Sequence, residues 1–437
     1  MTVSRIAAPL RRQVLRWTMG RRGGLDISMV RKIPASTTYP LRRVGVDPVP
    51  ELSRARDSAP VTRLGRVFGM NIWLVSGYDA AQAVLADSTR FSNDLRHLLG
   101  TRERTDAQGV GGLGMTDPPD HTRLRRLLTP EFTRRRLARL DGRIDAIVAE
   151  TLDALARTGP RADLVADFGF AIPFRVICDL LGLSVADRQA FHRLGAARFD
   201  LSEGGFGVFN AATESREFLI NAVRRQRSDP GDGLIGALLT EHGSEFDDVE
   251  LGGLADGVFL GGYETSASML SMGAYVLSQN PDAYEALRRG EAAEVDAVVE
   301  ELLRFLCPVQ VAFPRFARDG MDLFGARVNR GDLVAVSLSG ANRDPRRFDT
   351  PEEFDPATAT AAHLAFGHGL HRCVGAELAR MELRVALRGL ARRFPDLALA
   401  VPVEELAFRE LSAVHGIDAL PVHLWAPTGT HLEAVPG

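Results

Sequence analysis

Cysteine is scarce in this chain of 437 residues, which contains only Cys178, Cys307 and Cys373. Such a sparse and odd-numbered set argues against a framework of disulfide bonds. Free thiols are typical of proteins that work in a reducing compartment, so the cysteine usage favours such a location.

Long hydrophobic runs are also lacking. No stretch of about 18 consecutive apolar residues occurs, so the sequence predicts no transmembrane segment. Arg11 and Arg12 could begin a twin-arginine export signal, but the glycines from Gly20 to Gly24 interrupt the hydrophobic core that such a signal needs. Together with the free cysteines, this leads us to expect a cytoplasmic protein.

The chain also lacks an excess of positive or of negative charge. Lysine plus arginine number 53 and aspartate plus glutamate number 56, so the formal net charge is −3. This balance gives no indication of a nucleic-acid partner. Hydrophobic residues make up 45% of the chain, which is enough to bury a large core.

No linker rich in glycine, serine or proline divides the chain after residue 50. We therefore expect one large domain over residues 51–437, preceded by a basic and Pro-rich arm over residues 1–50. The arm combines arginines with an apolar helical face, a pattern that can rest on an anionic membrane surface. Packing on its own protein, or mobility, is commoner for such a segment and is favoured here.

The most informative stretch is a glycine-rich loop from Phe366 to Gly375. It delivers Cys373 to the start of a helix, because apolar residues from Val374 to Val385 recur at helical spacing. At a helix N-terminus the dipole and the free amides favour a thiolate. The glycines leave a flat surface for a planar ligand, and His371 and Arg372 could bind acidic groups on it. An anionic sulfur facing a planar ligand is typical of a heme-thiolate site.

Three alternative roles for this loop have weaker support. A buried cysteine usually behaves as a small hydrophobic residue. His363, His368, His371 and Cys373 could form a zinc site, but their spacing matches none of the usual paired-ligand patterns. A dinucleotide loop would need a third glycine where Arg372 stands.

The loop resembles the cysteine-ligand signature of the cytochrome P450 family, Phe-Gly-x-Gly-x-His-x-Cys-x-Gly, and matches it at every specified position. The resemblance implies that Cys373 is the axial ligand of the iron of heme b (iron protoporphyrin IX). It also implies that Phe366, Gly367, His371 and Gly375 contribute to cofactor binding.

A second segment, Asp117 to Arg126, places His121 and Arg125 four residues apart on one helical face. Such a face could bind two acidic groups or could simply be a solvated basic face. The pattern Asp-Pro-Pro-x-His-x-x-x-Arg resembles the family's propionate-binding helix, and Arg315 matches a further propionate arginine. The resemblance therefore implies that His121, Arg125, Arg315 and His371 hold the heme propionates.

A helical stretch of roughly 30 residues, or roughly 48 Å, runs from Asp248 to Asn280. It is apolar nearly all round, which predicts burial. The run Gly261 to Thr265 breaks this pattern with two glycines, a carboxylate and a hydroxyl. It is either a packing kink with Glu264 in a salt bridge, or a functional opening of the helix to water or O₂. The run resembles the family's Ala-Gly-x-Asp/Glu-Thr oxygen-activation motif, with Gly261 in place of alanine, and this implies that Glu264 and Thr265 relay protons.

Glu301 and Arg304, three residues apart on the next helix, can pair with each other. They resemble the family's Glu-x-x-Arg motif. The arginine that completes this network in the family is replaced here by Thr358. An arginine of the segment 343–347 is a candidate substitute.

We expect a mainly α-helical fold with a small β-rich region near the N-terminus and further strands after residue 308; the resemblance, which covers about residues 60–425, implies the triangular prism of cytochromes P450. Strands are predicted at 61–66 and 70–75, at 308–313, and as a pair around residues 330–332. Ser76 is predicted to cap the helix after the second strand. The expected pocket walls are a lid loop at 91–114, a flexible hydrophobic tip at 204–207, Val258, Val311 and Val414.

The resemblance implies a heme-thiolate monooxygenase that inserts one oxygen atom of O₂ into an apolar small molecule, such as a lipid, terpenoid, steroid or polyketide-like compound. The chain contains no flavin or iron–sulfur pattern, so ferredoxin and ferredoxin reductase should supply electrons. We expect the ferredoxin to dock on a face with Arg123, Arg126 and Arg372. The alternatives are a peroxygenase or a C–C coupling oxidase on the same heme, or a heme- or zinc-binding protein without catalysis.

Overall fold

Helices dominate the structure, a computed structural model that describes residues 35–67, 70–94, 112–199, 204–358 and 362–425. The α-helices of this part of the chain are α1 (Ala35–Thr38), α2 (Pro50–Ser58), α3 (Tyr78–Ala86), α4 (Asp120–Leu128), α5 (Arg134–Leu137), α6 (Asp141–Thr158), α7 (Ala171–Leu181), α8 (Val185–Phe199), α9 (Gly204–Ser228), α10 (Leu234–His242), α11 (Asp248–Ser278), α12 (Pro281–Arg289), α13 (Ala292–Leu306), α14 (Leu338–Ala341) and α15 (Ala376–Arg393). A π-helical segment spans Val165–Phe170. Short 3-10 helices span Tyr39–Leu41, Gly112–Met115, Thr129–Phe132, Ala138–Leu140, Gly243–Glu245, Pro356–Thr358, Gly369–His371 and Val403–Glu405.

The strands are short and gather into small sheets. They are β1 (Arg43–Val44), β2 (Asp47–Pro48), β3 (Val61–Val67), β4 (Met70–Val75), β5 (Phe91–Ser92), β6 (Arg161–Asp163), β7 (Arg315–Ala317), β8 (Met321–Leu323), β9 (Ala326–Val328), β10 (Leu333–Val336), β11 (Ala398–Leu399) and β12 (Pro421–His423). The largest sheet among the described residues has the order β3-β4-β10-β7-β5, and another has the order β11-β12-β6. The prediction of a mainly α fold with a smaller β region is confirmed.

The longest helix of the described chain, α11, lies among α7, α9, α13 and α15. The Asp247 carboxylate caps it by accepting a hydrogen bond from the Glu250 amide at 2.6 Å, an interaction typically worth about 1 kcal/mol. Most of the helix is buried, as its all-round apolar pattern predicts. It ends at Ser278, slightly before the predicted end, because Pro281 begins α12. Neither α11 nor any other described helix is apolar over enough length to span a bilayer.

The predicted strand pair around residues 330–332 is wrong. β9 pairs with β8, whereas β10 pairs in parallel with β4 and antiparallel with β7. The cause is Asp332, whose carboxylate accepts hydrogen bonds from Asn71 N and Trp73 Nε1, both at 3.1 Å. These bonds hold β10 beside β4 and direct it away from β9.

The cap of α3 also differs from its prediction. The Tyr78 amide donates to Asp344 Oδ2 at 2.8 Å, while the Ser76 hydroxyl has no partner among the described residues. A carboxylate at a helix N-terminus satisfies a free amide and interacts favourably with the dipole. Because Asp344 is far away in sequence, local pattern could not identify it.

Residues 308–313 do not form a strand. Isolated bridges join Val309 to Val414 and Val311 to Ser337. The segment begins after Cys307, a left-handed residue with φ of +38° that turns the chain at the end of α13. It therefore crosses between two elements without forming a continuous ladder with either.

Residues 35–48, assigned above to the N-terminal arm, pack against the domain. The Arg43 guanidinium donates to Leu306 O at 2.7 Å and to Cys307 O at 2.8 Å. These carbonyls lie at the C-terminus of α13, where cationic side chains are favourable. Residues 1–34, the rest of the expected arm, lie outside the described residues.

Candidate active site

The Cys373 loop lies at the start of α15, as the sequence predicts. The Cys373 amide donates to Phe366 O at 2.8 Å, so the loop folds back on itself. Gly375 is the N-cap residue of α15, which begins at Ala376. Cys373 is therefore held just before the N-terminus of a long helix.

Two glycines give the loop its two different sides. Gly367 and Gly369 have φ values of +68° and +70°, a region that other L-residues rarely adopt. A Cβ built on Gly367 would meet no atom within 4 Å, whereas one built on Gly369 would lie 2.6 Å from Leu85 O. The loop thus packs tightly on α3 at Gly369 and leaves open space at Gly367, as a planar ligand would need.

The Cys373 side chain is exposed, whereas Cys178 and Cys307 are buried. Burial of its surroundings nevertheless raises the pKa of the Cys373 thiol, and the Gly375 amide and Arg125 act in the opposite direction. The Gly375 amide at the helix terminus favours the thiolate as expected, but burial is the larger effect. A cation bound at the sulfur would favour the thiolate further.

His121 and His371 lie side by side, with ring centroids 4.3 Å apart. Both ring nitrogens of His121 and Nδ1 of His371 are buried without a hydrogen-bond partner among the described residues. Burial, followed by the charge of Arg125, lowers the pKa of His121 to about 4. Burial, followed by the charge of Arg315, lowers the pKa of His371 to about 3. The two neutral imidazoles can therefore donate N–H groups to an added acceptor.

Arg125 and Arg315 add positive charge to this cluster. Burial lowers the pKa of Arg125, and it lowers the pKa of Arg315 to about 10. Asp117 partly offsets Arg315, but its carboxylate is bound to Arg318 at 2.7 Å. A buried arginine, Arg315, and a partly buried one, Arg125, next to imidazoles with unused nitrogens make a strong site for anions.

The donor set fits a heme. Carboxylates of propionate type would satisfy the unpaired imidazoles and the arginines, Gly367 leaves one face clear, and Cys373 offers a sulfur ligand. The structure brings these residues together with the rest of the predicted cofactor set, which is His121, Arg125, Arg315, Phe366, Gly367, His371, Cys373 and Gly375.

An accessible face crosses the buried helix α11. Gly261 is exposed, and a Cβ built on it would meet no atom within 4 Å. Thr265, one turn later, donates its hydroxyl to Gly261 O at 2.6 Å. The expected opening of the helix is not seen, because α11 is α-helical throughout. What Gly261 provides is open space beside the Thr265 hydroxyl.

Glu264 is in a salt bridge whose partner no sequence pattern identifies. Arg409 Nη1 lies 2.8 Å from Glu264 Oε1. Burial raises the pKa of Glu264, and Arg409 acts against this effect. The acid that precedes Thr265 in the sequence is thus held by a residue from the C-terminal part of the chain.

Comparison with known proteins identifies the family. A cytochrome P450 family model matches residues 205–397. Cytochrome P450 monooxygenase PikC of Streptomyces venezuelae is 40% identical over 382 residues, which cover 86% of this chain and 91% of PikC. The chain belongs to the cytochrome P450 family. 6-Deoxyerythronolide B hydroxylase of Saccharopolyspora erythraea is also similar, with 36% identity over 84% of this chain and 94% of its own length.

Solved P450 structures confirm the fold. OxyC, a cytochrome P450 implicated in an oxidative C–C coupling reaction during vancomycin biosynthesis, is 37% identical with a TM-score of 0.78. The match covers 87% of this chain and 95% of OxyC. The protein is therefore an oxidoreductase, a cytochrome P450 monooxygenase, and the cofactor of its family is heme b. The family uses O₂ and redox partners.

This P450 has a second buried acid near the site, Glu382, which was not predicted from the sequence. It lies on α15, is 3% exposed, and its Oε1 has no hydrogen-bond partner among the described residues. Burial raises its pKa to about 8, and a hydrogen bond with Ser266 acts in the opposite direction. Ser266 follows Thr265 on α11. A sequence signal existed, since Glu382 interrupts the apolar stripe that runs from Leu378 along α15.

The Glu-x-x-Arg pair is completed by backbone groups. Arg304 donates to both carboxylate oxygens of Glu301, at 2.6 and 2.7 Å, and the Asp355 amide donates to Glu301 Oε1 at 3.0 Å. Arg343 does not join the pair: it binds Asp47 and Glu352, each at 3.0 Å. The Thr358 side chain lies outside the described residues. In this P450 the Asp355 amide occupies one side of the carboxylate.

The expected pocket walls are only partly described. Val258, Val311 and Val414 are partly buried, as residues next to a cavity should be. Residues 95–111 of the expected lid loop lie outside the described residues, and Gly112–Met115 forms a short helix. The predicted tip at 204–207 is wrong, because these residues form the first turn of α9.

Proposed function

We propose that this P450 hydroxylates or epoxidises an apolar small molecule of lipid, terpenoid, steroid or polyketide-like type. The proposal depends on one observation above all. The exposed Cys373 thiol and the His121–His371 pair both lie within the influence of Arg125, and the turn at Gly112–Leu113 contacts both His371 and α11 at Gly257, one turn before the open face at Gly261. A thiol, an anion site and an apolar helix face are the groups that heme-thiolate oxidation needs.

The cofactor-binding residues have separate tasks. When heme is bound, its iron would supply the site of O₂ activation, and the Cys373 sulfur would hold the iron. His121, Arg125, Arg315 and His371 would bind the propionates through charge-assisted hydrogen bonds. These donors come from α4, from β7 and from the Cys373 loop, so three separate elements would hold the cofactor.

Glu264 and Thr265 are proposed to deliver protons. The Thr265 hydroxyl is fixed by its bond to Gly261 O and stands beside the open space at Gly261. Glu264 precedes Thr265 in the sequence, and burial raises its pKa above that of a free carboxyl, which favours uptake of a proton.

The proposed substrate class follows from the described walls. Val258, Val311 and Val414 are apolar, and Phe313 is 46% exposed although it is a large hydrophobic residue. An exposed aromatic ring together with partly buried valines favours an apolar ligand. A screen of such compounds for the shift of the heme spectrum to high spin tests this class; exclusive binding of charged, hydrophilic compounds would contradict it.

We also propose that a ferredoxin, itself reduced by a ferredoxin reductase, docks near the Cys373 loop. A groove of about 550 Å³ is lined by Thr122, Arg125, Arg126, Thr129, Pro130, Thr133 and Leu370. Arg126 is 70% exposed on its side chain, and Arg372 is exposed too. Arg123 and Arg126 are each paired with an acid, Arg123 with Glu250 and Arg126 with Glu245 at 3.6 Å, so the more exposed Arg126 is the better residue for the test.

The relay is tested with Thr265→Ala. We expect O₂ and electrons to be consumed while product falls and hydrogen peroxide rises, because the hydroxyl that positions the proton is lost. Thr240→Ala is a matched control, since Thr240 makes the same kind of hydroxyl bond to Gly236 O, at 2.8 Å, on α10. Unchanged coupling of O₂ to product in Thr265→Ala would count against the relay.

A second candidate function is oxidative C–C coupling without oxygen insertion. The similarity to OxyC favours it. Product analysis under ¹⁸O₂ separates the two reactions. A labelled product identifies the monooxygenase, and a product lacking label and two hydrogens identifies the coupling oxidase.

A further inference from the structure

A hairpin of residues 408–417 lies between α11 and the segment after α13. The Arg409 amide donates to Gly416 O at 2.9 Å, which closes the hairpin. The Gln310 amide donates to Ala413 O at 3.1 Å, which joins the hairpin tip to the neighbouring segment. The hairpin is therefore an ordered support for side chains that reach α11.

Arg409 on this hairpin has two acidic neighbours. Its Nη1 lies 2.8 Å from Glu264 Oε1, and its Nε lies 3.8 Å from Asp418 Oδ1. The Glu264 side chain is 17% exposed and the Asp418 side chain 59%. The guanidinium also lies over the Phe170 ring, 5.6 Å from the centroid. Arg409 thus stands between a buried acid of the site and an exposed acid beside its own hairpin.

The hairpin shows backbone strain close to this arginine. Leu411 has a φ of +49°, a left-handed conformation that is unfavourable for its side chain. Strain of this kind is concentrated at functional and switching segments. A Cβ built on Gly416 would lie 3.3 Å from Arg409 Cζ, so the guanidinium passes directly over this glycine.

We propose that Arg409 is a positioning residue that controls proton delivery by changing its salt-bridge partner from Glu264 to Asp418. Paired with Glu264, the arginine holds the carboxylate in place and keeps it ionised. When the arginine moves to Asp418, Glu264 takes up one proton from a solvent hydronium ion and gives it to the Thr265 hydroxyl oxygen. The hydroxyl in turn releases its own proton to an acceptor in the open space at Gly261, so both side chains return to their starting forms. Only a proton moves in this step, so no electron or other bond has to be balanced. The inference rests on the proton-delivering role of Glu264 proposed above.

The charges around the pair support an exchange. The other titratable groups that face it are Tyr263, His415 and Asp418. The π-helical segment contributes the Phe170 ring at this contact. Burial raises the pKa of Glu264 and Arg409 lowers it, so a moving guanidinium would switch the carboxyl between its two forms.

The decisive variant is Asp418→Asn. It removes the second partner of Arg409 at a largely exposed position, so folding should be preserved. We expect coupled product formation to fall about tenfold, the equivalent of one pKa unit, with unchanged heme content, melting temperature and ligand-induced spectral shift. Glu410→Gln, which changes an exposed acid next to Arg409, is the matched control and should behave as wild type.

A measurement without turnover tests the same exchange. The infrared band of the protonated Glu264 carboxyl, assigned by its loss in Glu264→Gln, is titrated against pH in heme-bound and heme-free protein. We expect the midpoint to rise in Arg409→Gln and to fall in Asp418→Asn, because the arginine is absent in the first and confined to Glu264 in the second.

The outcomes separate this inference from the proposed function. If Glu264→Gln keeps full coupled product formation, the proton-delivering role itself fails. If Glu264→Gln loses product while Asp418→Asn matches wild type in turnover and in the infrared titration, Glu264 keeps its role and the exchange is overturned.

Discussion

Three acids, the partly buried Glu264 and the fully buried Glu301 and Glu382, have three different environments. Glu264 is paired with Arg409, and Glu301 is bound by Arg304 and by the Asp355 amide. Glu382 has no cation beside it in the described structure, and burial raises its pKa to about 8. Glu264 belongs to the Gly261–Thr265 run and Glu301 to the Glu-x-x-Arg pair, and both were singled out from these sequence motifs. Glu382 was not, although it interrupts the apolar stripe of α15, because the stripe does not show by itself that α11 shields the side chain from water.

Glu382 should make the stability of this P450 depend on pH. Its pKa is higher in the folded chain than in the unfolded chain, so its contribution to stability is complete below the ordinary carboxyl pKa and is lost as the pH rises to about 8. We expect the free energy of unfolding to fall in this window by up to roughly 1.4 kcal/mol per pH unit. Chemical denaturation from pH 5 to 8 measures the slope.

Glu382→Gln should flatten that slope, because a neutral amide fills the same space without titrating. Asp396→Asn, at an exposed position just beyond α15, is the control and should keep the wild-type slope. An identical pH dependence in Glu382→Gln and wild type would show that Glu382 is ionised in the folded protein.

At the scale of elements, the Cys373 loop depends on how closely it packs against α3. Two features of position 369 require a glycine: its φ is positive, and Leu85 O lies too close to leave room for a Cβ. The loop and its helix were predicted correctly from the sequence, since the motif and the helical spacing are local. The capping of α3 by Asp344 and the placement of β10 beside β4 by Asp332 could not be predicted, because both carboxylates act on segments distant in sequence.

Gly369→Ala should weaken heme retention and stability together. The new methyl group would lie 2.6 Å from Leu85 O, so the loop must move. Gly325→Ala is a matched control, since Gly325 also has a positive φ, +85°, but its Cβ would meet no atom within 4 Å. We expect the control to lose about 1 kcal/mol of stability from backbone strain alone, and Gly369→Ala to lose more and to release heme.

Heme content and melting temperature of the purified variants measure this difference. Equal losses in Gly369→Ala and Gly325→Ala would mean that the close contact with α3 contributes nothing.

At the scale of the whole molecule, two surfaces are proposed to serve different partners. The open face of α11 at Gly261 is proposed to meet the substrate, and the groove lined by Arg126 and Leu370 to meet the ferredoxin. The family resemblance implies both roles, and both stay predictions. Substrate walls were predicted less well, because they come from side chains of distant segments and the start of α9 replaces the expected tip at 204–207.

Charge reversal tests the docking face. In the double variant Arg126→Glu, Arg372→Glu we expect reduction by a ferredoxin to slow at least about tenfold at low salt and to lose most of its salt dependence, because electrostatic steering is removed. Arg54→Glu, at a side chain that is 72% exposed on α2, is the control. Unchanged rates and salt dependence in the double variant would place docking elsewhere.

The thiolate ligand itself is tested by the absorption spectrum of the reduced, carbon monoxide-bound protein, with heme content measured on the same samples. We predict the red-shifted Soret band of a thiolate-ligated heme in wild type and in Cys178→Ser, and its loss in Cys373→Ser. A Cys373→Ser protein that kept the thiolate-type band and still oxidised its substrate would contradict the assignment of Cys373 as the iron ligand.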